Sequence, residues 1–233
     1  MKISSYSMEG EDIILASLLR DSENKTFLDI GSSEPIKNSN TYYFYKRGWR
    51  GVAVDGRDLA ADWARDRPGD IFVQSLLGDS DGGSTDYWIF PDPTMNTVDD
   101  ETGARYAARF SGSDVMRVNV PICRGYDVYR EFYGESGGCS MGPPEIVSID
   151  VEGFELPVLK GLLEPDREWR PAVLVVETKL FNFLKPLNHD IVNYLLGTHC
   201  YALIAKTPLN AFFVDPKNSI FNWIPSSMLK NYL

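Results

Sequence analysis

The sequence predicts a doubly wound α/β fold, with a mostly parallel sheet, helices on its faces and an antiparallel hairpin strand at its C-terminal end. Three observations predict it. Short apolar runs, too dense for half-exposed strands, alternate with helix-like segments, which is the pattern of buried parallel strands. One long polar stretch interrupts that rhythm, which then resumes. The last two strand-like runs lie close enough in the chain for a hairpin.

The elements follow in order. From Glu11 onward Ile14, Leu15, Leu18 and Leu19 place one apolar stripe on an N-terminal helix. Strands are expected at Thr26 to Ile30, Gly51 to Asp55 and Ile71 to Ser75. The first intervening helix is expected over Asn38 to Arg47, ended by Gly48 in a left-handed cap. The second runs near Leu59 to Arg65, before Pro68 and Gly69. Asp86 to Phe90 and Val115 to Val120 read as strands around a polar stretch from Pro91 to Asp114, followed by a short helix over Tyr126 to Tyr133. The Gly- and Pro-rich segment from Gly134 to Pro144 permits neither helix nor strand. Alternation then resumes with strand Glu145 to Asp150, helix Leu156 to Leu163, strand Ala172 to Glu177 and a helix near Ile191 to Leu196. The hairpin is expected from Tyr201 to Lys206 and Ala211 to Val214. Residues 1–233 are expected to form one domain, with an insertion near 84–144 and a tail at 215–233; that length suits one sizeable core.

Composition narrows the function. With 23 Lys and Arg against 33 Asp and Glu, the net charge of −10 repels phosphate backbones and anionic lipid headgroups, so neither nucleic acid nor a membrane surface is an expected partner. Cys123, Cys139 and Cys200 are odd in number and lack CxxC spacing, which argues against a disulfide framework or a thiolate metal cluster. A reducing cytoplasm fits. No run approaches the roughly 20 apolar residues of a membrane span, and the polar start MKISSYSMEGED lacks a signal peptide's apolar core. The apolar tail from Ile220 to Leu233 offers a surface for a homodimer.

In a doubly wound sheet, ligands bind at the carboxyl ends of the strands near the topological switch point. The first strand ends in DIGSSEP, where Asp29 can hold a cationic ligand group and Gly31 permits close backbone approach. The second ends at Asp55, a carboxylate able to accept hydrogen bonds from ribose hydroxyls. The third ends with Gln74 and Ser75, which with the nearby Asp79 can meet an adenine edge. Each feature taken alone also fits an ordinary polar loop. Together, in order and on successive strand ends, they match an adenosine ligand. A dinucleotide would require GxGxxG to cradle its pyrophosphate, and Ser32, Ser33, Glu34 and Pro35 stand there instead. S-adenosylmethionine has no phosphate, and its ammonium and sulfonium groups suit acidic strand ends.

At these residues the chain resembles the FkbM-type methyltransferases, S-adenosylmethionine-dependent enzymes of the class I, Rossmann-like fold. The resemblance rests on SYSMEGED, FLDIGSSEP with SNTY at Ser39 to Tyr42, GWRGVAVDG, LLGDSDG, SIDVEGFELPVLKGL and RPAVLVVE, which together cover most of Ser4 to Glu177. It implies a cofactor site of Asp29, Gly31, Ser32, Ser39, Asn40, Asp55, Gln74, Ser75 and Asp150, with S-adenosylmethionine as cofactor. It also implies O-methylation of a sugar, glycan or glycosylated natural product. Two departures stand out: Ser32 and Pro35 replace the alanine and glycine usual in the family, and Asp55–Gly56 replaces its usual glutamate and proline. Pro35 leaves open a noncatalytic binding module that retains the fold. A nicotinamide-dependent oxidoreductase is the other alternative, disfavoured by the missing GxGxxG.

Methyl transfer needs an aligned acceptor and, for a hydroxyl, a base. Asp150, at the fourth strand end, is the first candidate, Glu152 the second and His189 the third. Asp150, Glu152 and Glu155 also stand just before a helix, where carboxylates satisfy free N–H groups, so capping is the competing role. His199 beside Cys200 makes no credible metal site on its own, and no metal is expected, although carboxylates can hold Mg²⁺. Acceptor selectivity is expected around the insertion and the segment from Gly134 to Pro144.

Overall fold

A computed structural model describes residues 4–80, 82–110, 114–134, 141–163 and 169–223. Three apolar runs of the first half form β1 (Thr26–Ile30), β2 (Arg50–Asp55) and β3 (Ile71–Gln74), paired in parallel, with β1 and β2 buried and β3 at the half-exposed edge. β1 also pairs in parallel with β7 (Ile146–Ile149), and β7 with β8 (Val173–Glu177). β9 (Ala202–Lys206) and β10 (Asn210–Val214) form the expected hairpin, and β10 runs antiparallel to β8. The sheet order is therefore β3-β2-β1-β7-β8-β10-β9. Strand order reverses between β1 and β7, which makes that point the topological switch.

Side-chain alternation along these strands builds two cores, one on each face. Leu28, Ile30, Val147, Ile149, Leu174 and Val176 face α6 (Glu155–Leu162) and α7 (Asp190–Asn193), with α7 continued as a π-helical turn over Tyr194–Thr198. Phe27, Ile146, Val173, Val175 and Phe212 face α1 (Glu11–Leu18) and α2 (Tyr42–Tyr45). α3 (Ala60–Asp66) buries Trp63, which stacks on Phe72 of β3 at 5.9 Å between ring centroids. Among the described residues no helix is long and apolar enough to cross a membrane.

The insertion is more ordered than its sequence suggested. β4 (Leu76–Gly78), β5 (Ser84–Ile89) and β6 (Met116–Arg124) make a second, three-stranded sheet in the order β4-β6-β5. Within the polar stretch lies a helix, α4 (Asp100–Ala107), whose N-cap Asp99 accepts a hydrogen bond from the Thr102 N–H at 2.7 Å. α5 (Gly125–Phe132) follows, one residue out of step with expectation at each end. Glycines in two of the recurring motifs meet here: a Cβ on Gly161 of α6 would collide with the Gly78 carbonyl, so LLGD and KGL let helix and strand touch.

The helix expected from Asn38 begins only at Tyr42, because Asn38 takes a left-handed φ of 58° and Ser39 Oγ accepts the Tyr42 N–H at 3.1 Å. Of the segment from Gly134 to Pro144, residues 135–140 lie outside the described residues, as do 224–233 of the apolar tail. The described start of that tail packs on its own chain, with Phe221 1% exposed in the second core.

Candidate active site

One cavity opens over the carboxyl ends of β1, β2, β7 and β8, enclosing about 1160 Å³ of atom-free space with its mouth included. Asp29, Gly31, Ser32, Ser39, Asn40, Asp55, Ser75, Asp150 and Glu152 all line it. Gln74 and Asp79 are exposed and lie outside this lining, whereas Ser75, expected beside them, is part of it. His189 is a second correction. Its Nε2 lies 2.9 Å from the Lys179 carbonyl, and the residue lines a separate hollow with Asn182 and Asp190.

On the β1 side each polar group is held from behind. Asp29 is 4% exposed and accepts the Thr41 hydroxyl at 2.6 Å. Arg67, fully buried, donates to Thr41 Oγ1 at 3.0 Å, Ser39 Oγ at 3.2 Å and the Pro35 carbonyl at 3.2 Å, and is ion-paired with Asp70 at 2.6 Å. The proline that departs from the family pattern thus contributes its carbonyl to the guanidinium shell, a role that needs no N–H. Burial pushes the Asp29 pKa up to about 6, against the pull of Thr41 and Arg67. Asn40 reaches across to β7, donating to Ser148 Oγ at 3.0 Å. Gly31 has φ +75°, and a Cβ there would collide with the Asp150 carbonyl, so its glycine serves the β1–β7 contact as well as ligand approach.

Asp55 closes the β2 side. Its Oδ2 accepts the Ser33 N–H at 2.9 Å, while Oδ1 accepts the Arg57 N–H at 2.9 Å and Nε at 3.3 Å. A carboxylate has roughly four acceptor positions, so about one remains for a ribose hydroxyl. Ser32 is 6% exposed and its Oγ has no hydrogen-bond partner. A buried hydroxyl left unmet on a cavity wall fits a site that a polar ligand completes.

On the β7–β8 side the charges crowd. Asp150 makes no hydrogen bond among the described residues through its carboxylate, and its pKa is pushed well above the usual range by burial and then by Glu177, Glu152 and Glu155. Among the described residues no side chain caps α6; Glu155 Oε1 instead pins the turn before the helix, accepting the Val151 N–H at 3.2 Å and the Gly153 N–H at 3.0 Å. Glu152, at a left-handed φ of 55°, is tied to Tyr106 of α4 at 3.2 Å and to Lys179. Thr97 donates to its carbonyl at 2.7 Å, so the insertion clamps this loop. Lys179 also pairs with Glu177 at 2.9 Å. Burial pushes Glu177 up to about 7, helped by Glu152 and opposed by Lys179. Asp150, Glu152 and Glu177 hold carboxylate oxygens within 4.8 Å of one another, a spacing a metal ion can use, but Lys179 already supplies a cation there.

The N-terminal motif completes the wall. Asp12 gathers Ser5 Oγ, the Tyr6 N–H and Ser7 Oγ at 2.7, 2.7 and 2.9 Å. Glu9 accepts the Leu209 N–H at 2.9 Å, and Glu11 accepts Thr207 Oγ1 at 3.1 Å and Asn210 Nδ2 at 3.0 Å. Met8, Glu11, Leu209 and Asn210 thereby join the cavity. Sequence reasoning missed Arg67, Glu177, Lys179, Glu11 and Asn210 as parts of the site. SYSMEGED was a visible signal for Glu11, and the strand-end position of Glu177 was another.

A seven-stranded mixed sheet with this order and an acid-lined cavity at its switch point define a Rossmann-like methyltransferase fold. The family model described as the methyltransferase FkbM domain matches residues 29–201, and the chain belongs to that family. No curated protein and no solved structure matches it significantly.

Proposed function

We propose that the protein transfers the methyl group of S-adenosylmethionine to a hydroxyl of a sugar, glycan or glycosylated natural product. The observation that carries this reading is Asp150, a carboxylate on the cavity wall beside the Gly31 turn, unbonded and with its proton affinity raised. When bound, the cofactor supplies a methyl group on a positively charged sulfur. The chain's residues then divide the work. Asp29, with Ser32, favours the cationic amino-acid end, and Asp55 offers its remaining acceptor position to the ribose. Asp150 orients the acceptor hydroxyl; as the C–O bond forms and the C–S bond breaks, it takes the hydroxyl proton. A raised pKa brings this carboxyl nearer to neutrality, where a general base is most effective.

The test is Asp150→Asn. The variant should fold, bind S-adenosylmethionine and lose about 10²- to 10⁴-fold in single-turnover methylation of an accepted sugar. Near-normal turnover would remove Asp150 as the base and leave Glu152 next in line. Calorimetry with S-adenosylmethionine and with NAD separates the transferase from the oxidoreductase reading, and binding of neither favours a noncatalytic module.

A further inference from the structure

Six carboxylates line the cavity, those of Glu11, Asp29, Asp55, Asp150, Glu152 and Glu177, while no Lys, Arg or His stands among its described lining residues. Their counter-charges lie behind the wall and are shared unequally. Asp55 has Arg57, and Asp29 has Arg67 through Thr41. Glu11, Asp150, Glu152 and Glu177, at the β7–β8–β10 corner, have two lysines between them: Lys179, which contacts Glu152 and Glu177, and Lys206, which acts on Glu11 and Glu177 from farther off and also serves Glu9. One sulfonium does not balance that corner.

A second observation points to a ligand at the same place. Asn210 faces Glu177 in the β8–β10 register and is 5% exposed. Its Nδ2 donates to Glu11, which fixes the amide orientation, and its Oδ1 is left with no partner among the described residues. A buried carbonyl oxygen in want of a donor costs about 1–3 kcal/mol until one arrives. With Glu11 and Glu177 beside it, this corner presents acceptors to whatever enters, so the entering group has to donate, and a positive charge is favoured over a neutral hydroxyl.

We propose that the acceptor carries a protonated amine, seated at Asn210 Oδ1, Glu177 and Glu11, next to the hydroxyl that is methylated at Asp150; that is, an amino sugar or another amino alcohol. The ammonium is a handle and no nucleophile, since its nitrogen has no free electron pair. Because the carboxylate oxygens of Asp150 and Glu177 come within 4.8 Å of each other, an amine and a hydroxyl on neighbouring carbons can reach both. This inference rests on the methyl-transfer reading of the same cavity.

The experiment is calorimetric titration of the full chain, with and without S-adenosylhomocysteine, using D-glucosamine, N-acetyl-D-glucosamine and D-glucose as probes. Glucosamine should bind about ten- to a hundredfold more tightly than the two uncharged sugars, the range of a charge-assisted hydrogen bond. Glu177→Gln should erase most of that preference, and Asn210→Leu should weaken glucosamine as well. S-adenosylhomocysteine binding by each variant reports that it is folded. Equal affinity for the three sugars, no glucosamine binding at millimolar concentration, or a preference that survives Glu177→Gln overturns the proposal; so does Mg²⁺ binding that requires Glu177 and excludes glucosamine. If S-adenosylhomocysteine fails to bind the wild type, the methyl-transfer reading falls instead, and the sugar titrations without it still decide the amine preference.

Discussion

On the β1–β2 side of the cavity each carboxylate has a guanidinium at its back, whereas on the β7–β8–β10 side four carboxylates share two lysines, of which Lys179 is in contact and Lys206 acts from farther off. The two sides use charge differently as a result. Arg67 is fully buried between Asp70, Thr41, Ser39 and the faces of Trp63 and Phe27, with its guanidinium 4.5 and 5.1 Å from the ring centroids. That side is largely organised before any ligand arrives; Ser32 Oγ and Arg67 Nη2 are the buried atoms left without a partner among its described residues. Burial raises the Asp29 pKa there to about 6; on the other side it raises both Asp150 and Glu177, with neighbouring carboxylates adding to the effect, so that more of that side's charge is held as protons until a cation replaces them. A preorganised half and a titrating half suit a cofactor that is constant and an acceptor that has to be selected.

The largest expected effect separates the two halves directly. Arg67→Met leaves Asp70 and Asp29 buried without their counter-charge, and such losses typically cost about 3–5 kcal/mol. Lys179→Met removes the contacting cation of the other side, but its side chain is 36% exposed and its partners can take up protons instead. That change should cost only about 1 kcal/mol or less. Urea unfolding of both variants at neutral pH measures the difference. Equal losses would mean that the β7–β8 side is as firmly built as the other.

A smaller effect sharpens the cofactor side. Asp55→Ala should weaken S-adenosylmethionine by about 1.5–3 kcal/mol, roughly ten- to a hundredfold in Kd, as loss of a charge-assisted bond does. Part of that loss comes through Ser33 and Arg57, which Asp55 holds in place. Asp55→Asn keeps an acceptor for one of them and should lose less. Calorimetry on both variants checks the order, and unchanged affinity in Asp55→Ala would remove the ribose role.

Much of the fold was legible because its signal is local. β1 was read to the residue, and Gly48 does take the left-handed φ of +87° that the helix end required. α4 escaped because its buried residues are Thr102 and Gly103, so hydrophobic periodicity had nothing to register. At the site, Asp29, Asp55 and Asp150 were legible as carboxylates on successive strand ends. Arg67 was not, since its role depends on a loop and a helix end meeting under β1, and no spacing in the chain encodes that. His189 shows the converse: its chain position allowed it into the cavity, but the loop after β8 carries it to another hollow. Asn210 and Glu11 lie 199 residues apart and become one site only through the β10 edge.

The smallest effect tests the titrating half through pH. Glu177 and Asp29 have folded pKa values near 7 and 6, above their ordinary 4.5 and 3.8, both chiefly through burial. Between the ordinary and the raised values the folded chain binds more protons than the unfolded one, so stability falls as pH rises. The contribution of Glu177 is therefore present at the acid end of its window, from 4.5 to about 7, and is lost above it. The ligand-free protein should melt at a lower temperature at pH about 8 than at about 5.5, with a shallower slope in Glu177→Gln. Glu177→Gln also relieves the repulsion that raises Asp150, so the difference between the two curves reports Glu177 together with the Asp150 titration it drives. A cationic ligand opposes the trend, because it favours the ionised carboxylates, and its binding should release protons, read as a dependence of calorimetric heat on the buffer's ionisation enthalpy. If the two melting curves run parallel from acid to neutral pH, Glu177 is not the proton reservoir of the β7–β8 side, and the contrast between the halves reduces to the arginines alone.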